Sequence, residues 1–238
     1  MKLKNKVVII TGASSGLGEV LSYKVAKEGG KVALVARTKS LLEKVKSKIL
    51  NGGGEAEYFV CDITDQNQVK KAASDILKYF GRIDTLVNNA GIWVTDELEE
   101  KNPKILEQAF KVNAIGHIYF TKEVLPKFQK QNSGFIFNVI SDAGTDTPEN
   151  KDWLTYTATK WAMTGYTKAL KYKLEGTKIR VTGFFPAGFE SNIFETAGEK
   201  DAHNQPWMMR TEDVADAAMY ALTRPEDLMV ESISLTPI

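Results

Sequence analysis

Apolar and polar positions alternate along the chain between two textures. Short β-branched apolar runs at 7–10, 32–35, 58–60, 85–87, 135–140 and 180–185 read as strands buried on both faces. Between them lie longer, charge-rich amphipathic stretches, at 17–28, 39–50, 66–79, 103–130, 156–175 and 211–223, which read as helices. A weaker apolar stretch at 233–235 reads as an edge strand, and the glycine run 52–54 as the end of the second helix. Strand followed by helix, repeated, predicts an α/β fold. The expectation is a doubly wound parallel sheet of about seven strands with helices on both faces and right-handed crossovers. Residues 1–238 show no repeat, low-complexity tract or linker, so one domain is expected. The least regular stretch, 186–210, has the length of a lid or binding loop.

Composition narrows the chemistry. The 238 residues are 43% hydrophobic and 26% charged, which is enough apolar material for a sizeable core. Lys plus Arg number 31 against 30 Asp plus Glu, so nothing favours nucleic acid or an anionic membrane as a partner. The single cysteine, Cys61, forms no intrachain disulfide and fits a reducing, cytoplasmic setting. The two histidines, His117 and His203, are too few with it for a Cys/His zinc centre, and no metal is expected. The longest charge-free stretch, 7–18, is too short and glycine-rich to span a bilayer, and the N-terminus lacks the marks of a signal peptide.

The first strand runs into Thr11-Gly12-Ala13-Ser14-Ser15-Gly16-Leu17-Gly18, which opens the first helix. A glycine turn in that context suits a phosphate group. Gly12 permits a tight turn, Gly16 a close backbone approach and Gly18 close helix–strand packing, while the helix N-terminus presents unpaired N–H groups. The spacing is not the general G-x-G-x-x-G, and a βα turn without ligand is the plainer alternative. At the end of the second strand stand Arg37 and Thr38, with no acidic residue between positions 31 and 42. An acid there would bind ribose hydroxyls, whereas an arginine accommodates a 2′-phosphate. NADP(H) is therefore expected over NAD(H), the alternative being a solvated surface arginine.

Tyr156 and Lys160, spaced i and i+4, project from one helical face. A tyrosine near its ordinary pKa of ~10 is poorly matched to neutral pH, and a nearby cation lowers that value. Alone the pair is a weak signal. Together with the Thr11–Gly18 turn, Asp62, Asn88-Asn89-Ala90-Gly91, Asn113 and Ser141, in that order and spacing, it makes the chain resemble the short-chain dehydrogenase/reductase family over essentially its whole length. The resemblance implies a Rossmann-like fold and an NADP(H)-dependent oxidoreductase that interconverts a carbonyl and a secondary alcohol. It implies Tyr156 as acid and base, and Lys160 as tuner of Tyr156 and ligand of the nicotinamide ribose. It implies Ser141 as donor to the carbonyl oxygen, and the Asn113 amide as holder of a relay water. For the cofactor it implies Gly12, Ser14, Ser15, Gly16, Leu17 and Gly18 at the phosphates and Arg37 and Thr38 at the adenosine ribose. It also implies Asp62 and Ile63 at the adenine, Asn89, Ala90 and Gly91 along the dinucleotide, and Pro186, Gly188 and Ser191 near the nicotinamide. A homodimer or homotetramer built through 103–130 and 156–175 is implied as well.

Two departures from the family pattern stand out. Ser141 precedes Tyr156 by fifteen positions rather than the common thirteen, and its neighbour Asp142 is an unusual residue read as solvated. Ala187 stands in Pro186-Ala187-Gly188 where the family often has Pro-Gly. His117 is expected to pack rather than react. Trp93 and Trp153 are candidates for the pocket mouth, while His203, Trp207, Met208 and Met209 either contact substrate or close over the core. The alternatives in function are an NADP-binding sensor or scaffold without turnover, and a ketoacyl-carrier-protein-type reductase.

Overall fold

The computed structural model describes residues 2–145, 152–197 and 205–238. Strands β1 (Val7–Thr11), β2 (Lys31–Ala36), β3 (Glu55–Val60), β4 (Thr85–Asn88), β5 (Gly134–Val139), β6 (Ile179–Pro186) and β7 (Ser232–Leu235) form one sheet in the order β3-β2-β1-β4-β5-β6-β7. Every pairing is parallel. The connecting helices are α1 (Gly16–Lys27), α2 (Lys39–Asn51), α3 (Gln66–Phe80), α4 (Asp96–Lys101), α5 (Lys104–Phe110), α6 (Gly116–Gln131), α7 (Leu154–Lys173), α8 (Ile193–Thr196) and α9 (Thr211–Leu222).

Unbroken apolar strands are the consequence of burial on both faces. In β1, Val8 and Ile10 join one core with Leu21 of α1, Val45 of α2 and Val214 of α9. Val7 and Ile9 point the other way, into a second core with Ile76 of α3, Phe120 of α6 and Leu170 of α7. The period-two alternation of a strand thus feeds two helical layers. Because β1 pairs with both β2 and β4, the winding direction reverses between β1 and β4. A doubly wound sheet opens a ligand crevice there, at the carboxyl ends of the strands.

Three expected elements differ. The helix expected at 103–130 is α5, a π-helical turn at Lys111–Ile115, and α6, with α4 as a separate helix before it. A π turn widens the backbone ring, and such turns recur where a helical side chain must be redirected. Helix α7 starts at Leu154, so Tyr156 lies in its first turn. The stretch 186–210 contains α8 and a bridge between Phe189 and Met209; His203 lies outside the described residues.

Candidate active site

The glycine turn is shaped by close approaches. Gly12 has φ +67, and a Cβ there would lie 2.9 Å from Ala90 Cα; a Cβ on Gly18 would lie 2.3 Å from the Gly12 carbonyl oxygen and 2.6 Å from Asn89 Nδ2. The turn is bonded to the segment after β4. Thr11 Oγ1 accepts from the N–H groups of Asn89 (2.9 Å) and Ala90 (3.1 Å), and Asn89 Nδ2 donates to the Thr11 carbonyl (2.9 Å). Ser15 is the N-cap of α1 but its side chain makes no capping bond, which leaves the first-turn N–H groups without a side-chain partner. Ser14 and Ser15 are half-buried beside it and Leu17 is buried. Across the turn, Ser191 Cβ lies 3.6 Å from where a Cβ on Gly16 would stand.

Arg37 and Thr38 are exposed at the end of β2, and Arg37 has no ion-pair partner among the described residues. Asp62 is half-buried after β3, where Oδ1 accepts from the Thr64 N–H (2.9 Å) and Thr64 Oγ1 (2.8 Å). Ile63 is buried over Gly116 at the start of α6. Arg37 and Thr38 thus follow the carboxyl end of β2, and Asp62 and Ile63 that of β3. A cradle that Cβ atoms would fill, an uncapped helix N-terminus and an unpaired arginine together fit a phosphorylated dinucleotide.

The other end of the crevice carries the polar cluster. Asn113, within the π turn, is 1% exposed. Its Oδ1 accepts from the Ile92 N–H (2.8 Å), and its Nδ2 donates to the Ile92 carbonyl (3.0 Å) and to Thr159 Oγ1 (3.2 Å). The amide thereby braces the segment beside Gly91. Tyr156 is buried and Lys160 is 6% exposed, with Nζ 5.2 Å from the Tyr156 ring centroid. A Cβ on Gly91 would lie 3.9 Å from that Nζ. Burial pushes the Lys160 ammonium down to about 8. Burial also pushes the Tyr156 phenol up from its ordinary value; the Ser141 hydroxyl opposes the rise and the Asp142 charge adds to it. The sign is opposite to that expected from the Tyr–Lys spacing, because Lys160 lies against the ring while desolvation penalises the phenolate. Two adjacent buried groups shifted in opposite directions make this cluster the candidate reactive centre.

The sequence profile of short chain dehydrogenases matches residues 6–202. The chain belongs to the short-chain dehydrogenase family. An uncharacterised oxidoreductase of Listeria innocua is 32% identical to it, over 100% of this chain and 98% of its own length. An alcohol dehydrogenase from the archaeon Thermococcus sibiricus, solved with 5-hydroxy-NADP, superposes with a TM-score of 0.87 at 26% identity, covering 97% of this chain and 96% of that one. A short-chain dehydrogenase/reductase from Burkholderia phymatum, solved with NAD, shares the fold at a TM-score of 0.87 and 24% identity, covering 98% and 90% of the two chains.

In this short-chain dehydrogenase an aromatic wall stands over the Tyr156 ring. Trp93 lies 4.6 Å from Tyr156, 4.7 Å from Trp153 and 5.1 Å from Phe194, centroid to centroid. Trp207 meets Phe194 edge-on at 6.2 Å, and Met208 packs on the same cluster. Met209 instead packs on the main core, so the Trp207–Met209 run divides between that aromatic cluster and the core. Pro186 closes β6, and Gly188 lies under the Trp207 ring, where a Cβ would meet Cζ3 at 2.2 Å. His117 is buried, with Nε2 bonded to the Ala90 carbonyl at 2.7 Å, and burial pushes it down to about 4. It braces the Ala90 turn as a neutral ring.

The docking of α4 is absent from the sequence reading. Asp96 Oδ1 accepts from the Leu154 N–H at 3.1 Å, and Thr155 Oγ1 donates to Glu99. Both contacts grip the first turn of α7, next to Tyr156. An acidic stretch reads as solvated surface, and its partners lie more than fifty positions away.

Proposed function

We propose that this short-chain dehydrogenase is an NADP(H)-dependent oxidoreductase that interconverts a carbonyl and a secondary alcohol, with Tyr156 as acid and base. The observation that carries the reading is Lys160: a buried lysine without a carboxylate partner among the described residues, pushed down to about 8, against the Tyr156 ring and beside Gly91. Burying an uncompensated ammonium is costly, and folds accept that cost where the charge acts. A bound reduced nicotinamide would supply the hydride to the carbonyl carbon. Tyr156 gives the hydroxyl proton to the carbonyl oxygen, and in the reverse direction takes it back. Lys160 offsets the charge left on the phenol oxygen and hydrogen-bonds ribose hydroxyls. Ser141 bonds the substrate oxygen as charge develops there.

The Gly12–Gly18 turn and the α1 N-terminus hold the phosphates, and Arg37 takes the 2′-phosphate, which favours NADP(H). Asp62 and Ile63 border the adenine. Asn89, Ala90 and Gly91 line the middle of the dinucleotide, and Pro186, Gly188 and Ser191 the nicotinamide end. Trp93, Trp153 and Phe194 favour a partly apolar substrate, with 186–210 as the substrate loop. Exposed Leu154, Trp161 and Tyr172 on α7 support a homo-oligomer through that helix. The test is NADPH oxidation against a panel of ketones, aldehydes, diketones and keto acids. Turnover of at least one class is expected. Tight NADPH binding with no turnover would instead mark a sensor.

A further inference from the structure

We infer that Trp207 is a positioning residue for the substrate wall: seated on Gly188, it holds Phe194 against Trp93 and so limits the bulk of the carbonyl compound that reaches Tyr156. The inference rests on the oxidoreductase reading above and extends it to the size of the substrate.

Its starting point is the departure Pro186-Ala187-Gly188. A Cβ on Gly188 would lie 2.2 Å from Trp207 Cζ3, 2.8 Å from Cε3 and 3.4 Å from Cη2. These three nearest atoms all belong to the six-membered ring of one indole. Gly188 is not among the glycines with positive φ, so its backbone does not call for a glycine. The ring does, because it occupies the place of a side chain.

The backbone around this seat is held without the indole. The Met209 N–H donates to the Gly188 carbonyl at 3.1 Å, and the Glu190 N–H to the Met209 carbonyl at 3.0 Å. Thr211 Oγ1 donates to the Glu190 carbonyl. These bonds tie the chain leaving β6 to the chain entering α9, whatever side chain stands at 207. The indole adds a contact onward. Trp207 meets Phe194 at 6.2 Å, Phe194 meets Trp93 at 5.1 Å, and Trp93 meets Tyr156 at 4.6 Å, centroid to centroid. A file of rings thus runs from Gly188 to the phenol. Phe194 stands on α8, which has four residues and is too short to be stable by itself. Its ring is placed by what it packs against. With Trp207 cut back to alanine, Phe194 loses that backing and can turn away from Trp93, which widens the space beside Tyr156.

The test uses a series of ketones of rising bulk, from butanone to benzylacetone, with NADPH. A change of about one methylene in an apolar pocket alters kcat/KM by roughly tenfold or more. In Trp207→Ala the ratio of kcat/KM for the bulkiest ketone to that for the smallest should therefore rise at least about tenfold. For the smallest ketone KM should rise while kcat stays within about threefold, because the groups that move the proton and hydride are untouched. A general loss of structure would lower kcat for every ketone instead. Gly188→Ala expels the same ring and should shift the ranking in the same direction. A second measurement needs no turnover. Gly188→Ala should lower the thermal unfolding midpoint of the wild type and leave that of Trp207→Ala little changed, the coupling expected of two groups in contact. An unmoved ranking in a folded Trp207→Ala variant, or a Gly188→Ala loss equal in both backgrounds, would overturn the inference. If the wild type binds NADPH and reduces no ketone of the series, the oxidoreductase reading fails and the inference falls with it.

Discussion

Replacing Lys160 by methionine should stabilise the fold at neutral pH while disabling the site. The lysine is 6% exposed and its ammonium is pushed down to about 8 from 10.5. At ~1.4 kcal/mol per pH unit, that depression corresponds to about 3 kcal/mol against the native state below pH 8, where both folded and unfolded chains carry the proton. Between about 8 and 10.5 the unfolded chain binds the extra proton, so the cost declines as pH rises; above 10.5 it is gone. Methionine keeps most of the buried hydrocarbon and removes the charge. Urea unfolding of wild type and Lys160→Met at pH ~7 should therefore show the variant more stable by up to about 3 kcal/mol, a large share of a typical domain's stability. The gap should close as pH approaches the ordinary lysine value. A variant equally or less stable at neutral pH would refute the idea that the buried ammonium is uncompensated, and with it the reason for assigning Lys160 a role in the chemistry.

Two further substitutions probe the cofactor end. Arg37→Asp should weaken NADPH binding by roughly 10–100-fold, as expected for losing a charge-assisted contact, and shift preference toward NADH in fluorescence titrations. An unchanged preference would place 2′-phosphate recognition elsewhere. Gly18→Ala sets a Cβ 2.3 Å from the Gly12 carbonyl oxygen, a contact that only a backbone shift relieves. Thermal unfolding should register a loss of about 1–3 kcal/mol, as for other overpacked positions, together with weaker dinucleotide binding; wild-type stability and affinity would contradict the close-packed turn.

Much of this arrangement is legible in the chain because burial on both sides of the sheet leaves unbroken apolar runs. Val7–Thr11 declares itself a central strand, and Gly12 and Gly18 fall where the turn leaves no room for a Cβ. The π turn at Lys111–Ile115 is not legible, since α- and π-helical hydrogen bonding draw on the same residues. Nor is the grip of Asp96 and Glu99 on α7, a surface pairing across the sequence. The Tyr156–Lys160 spacing correctly places both groups on one helix. The sign of the shift at Tyr156 depends on burial and on Asp142, which the spacing leaves open.

The most direct measurement is on Tyr156→Phe, which removes one hydroxyl and leaves the ring to pack against Trp93. NADPH oxidation with a carbonyl turned over by the wild type should fall by at least about 100-fold, the scale of general acid catalysis, while NADPH affinity stays within a few-fold. Full turnover by the phenylalanine variant would contradict the assignment of Tyr156 as the proton donor.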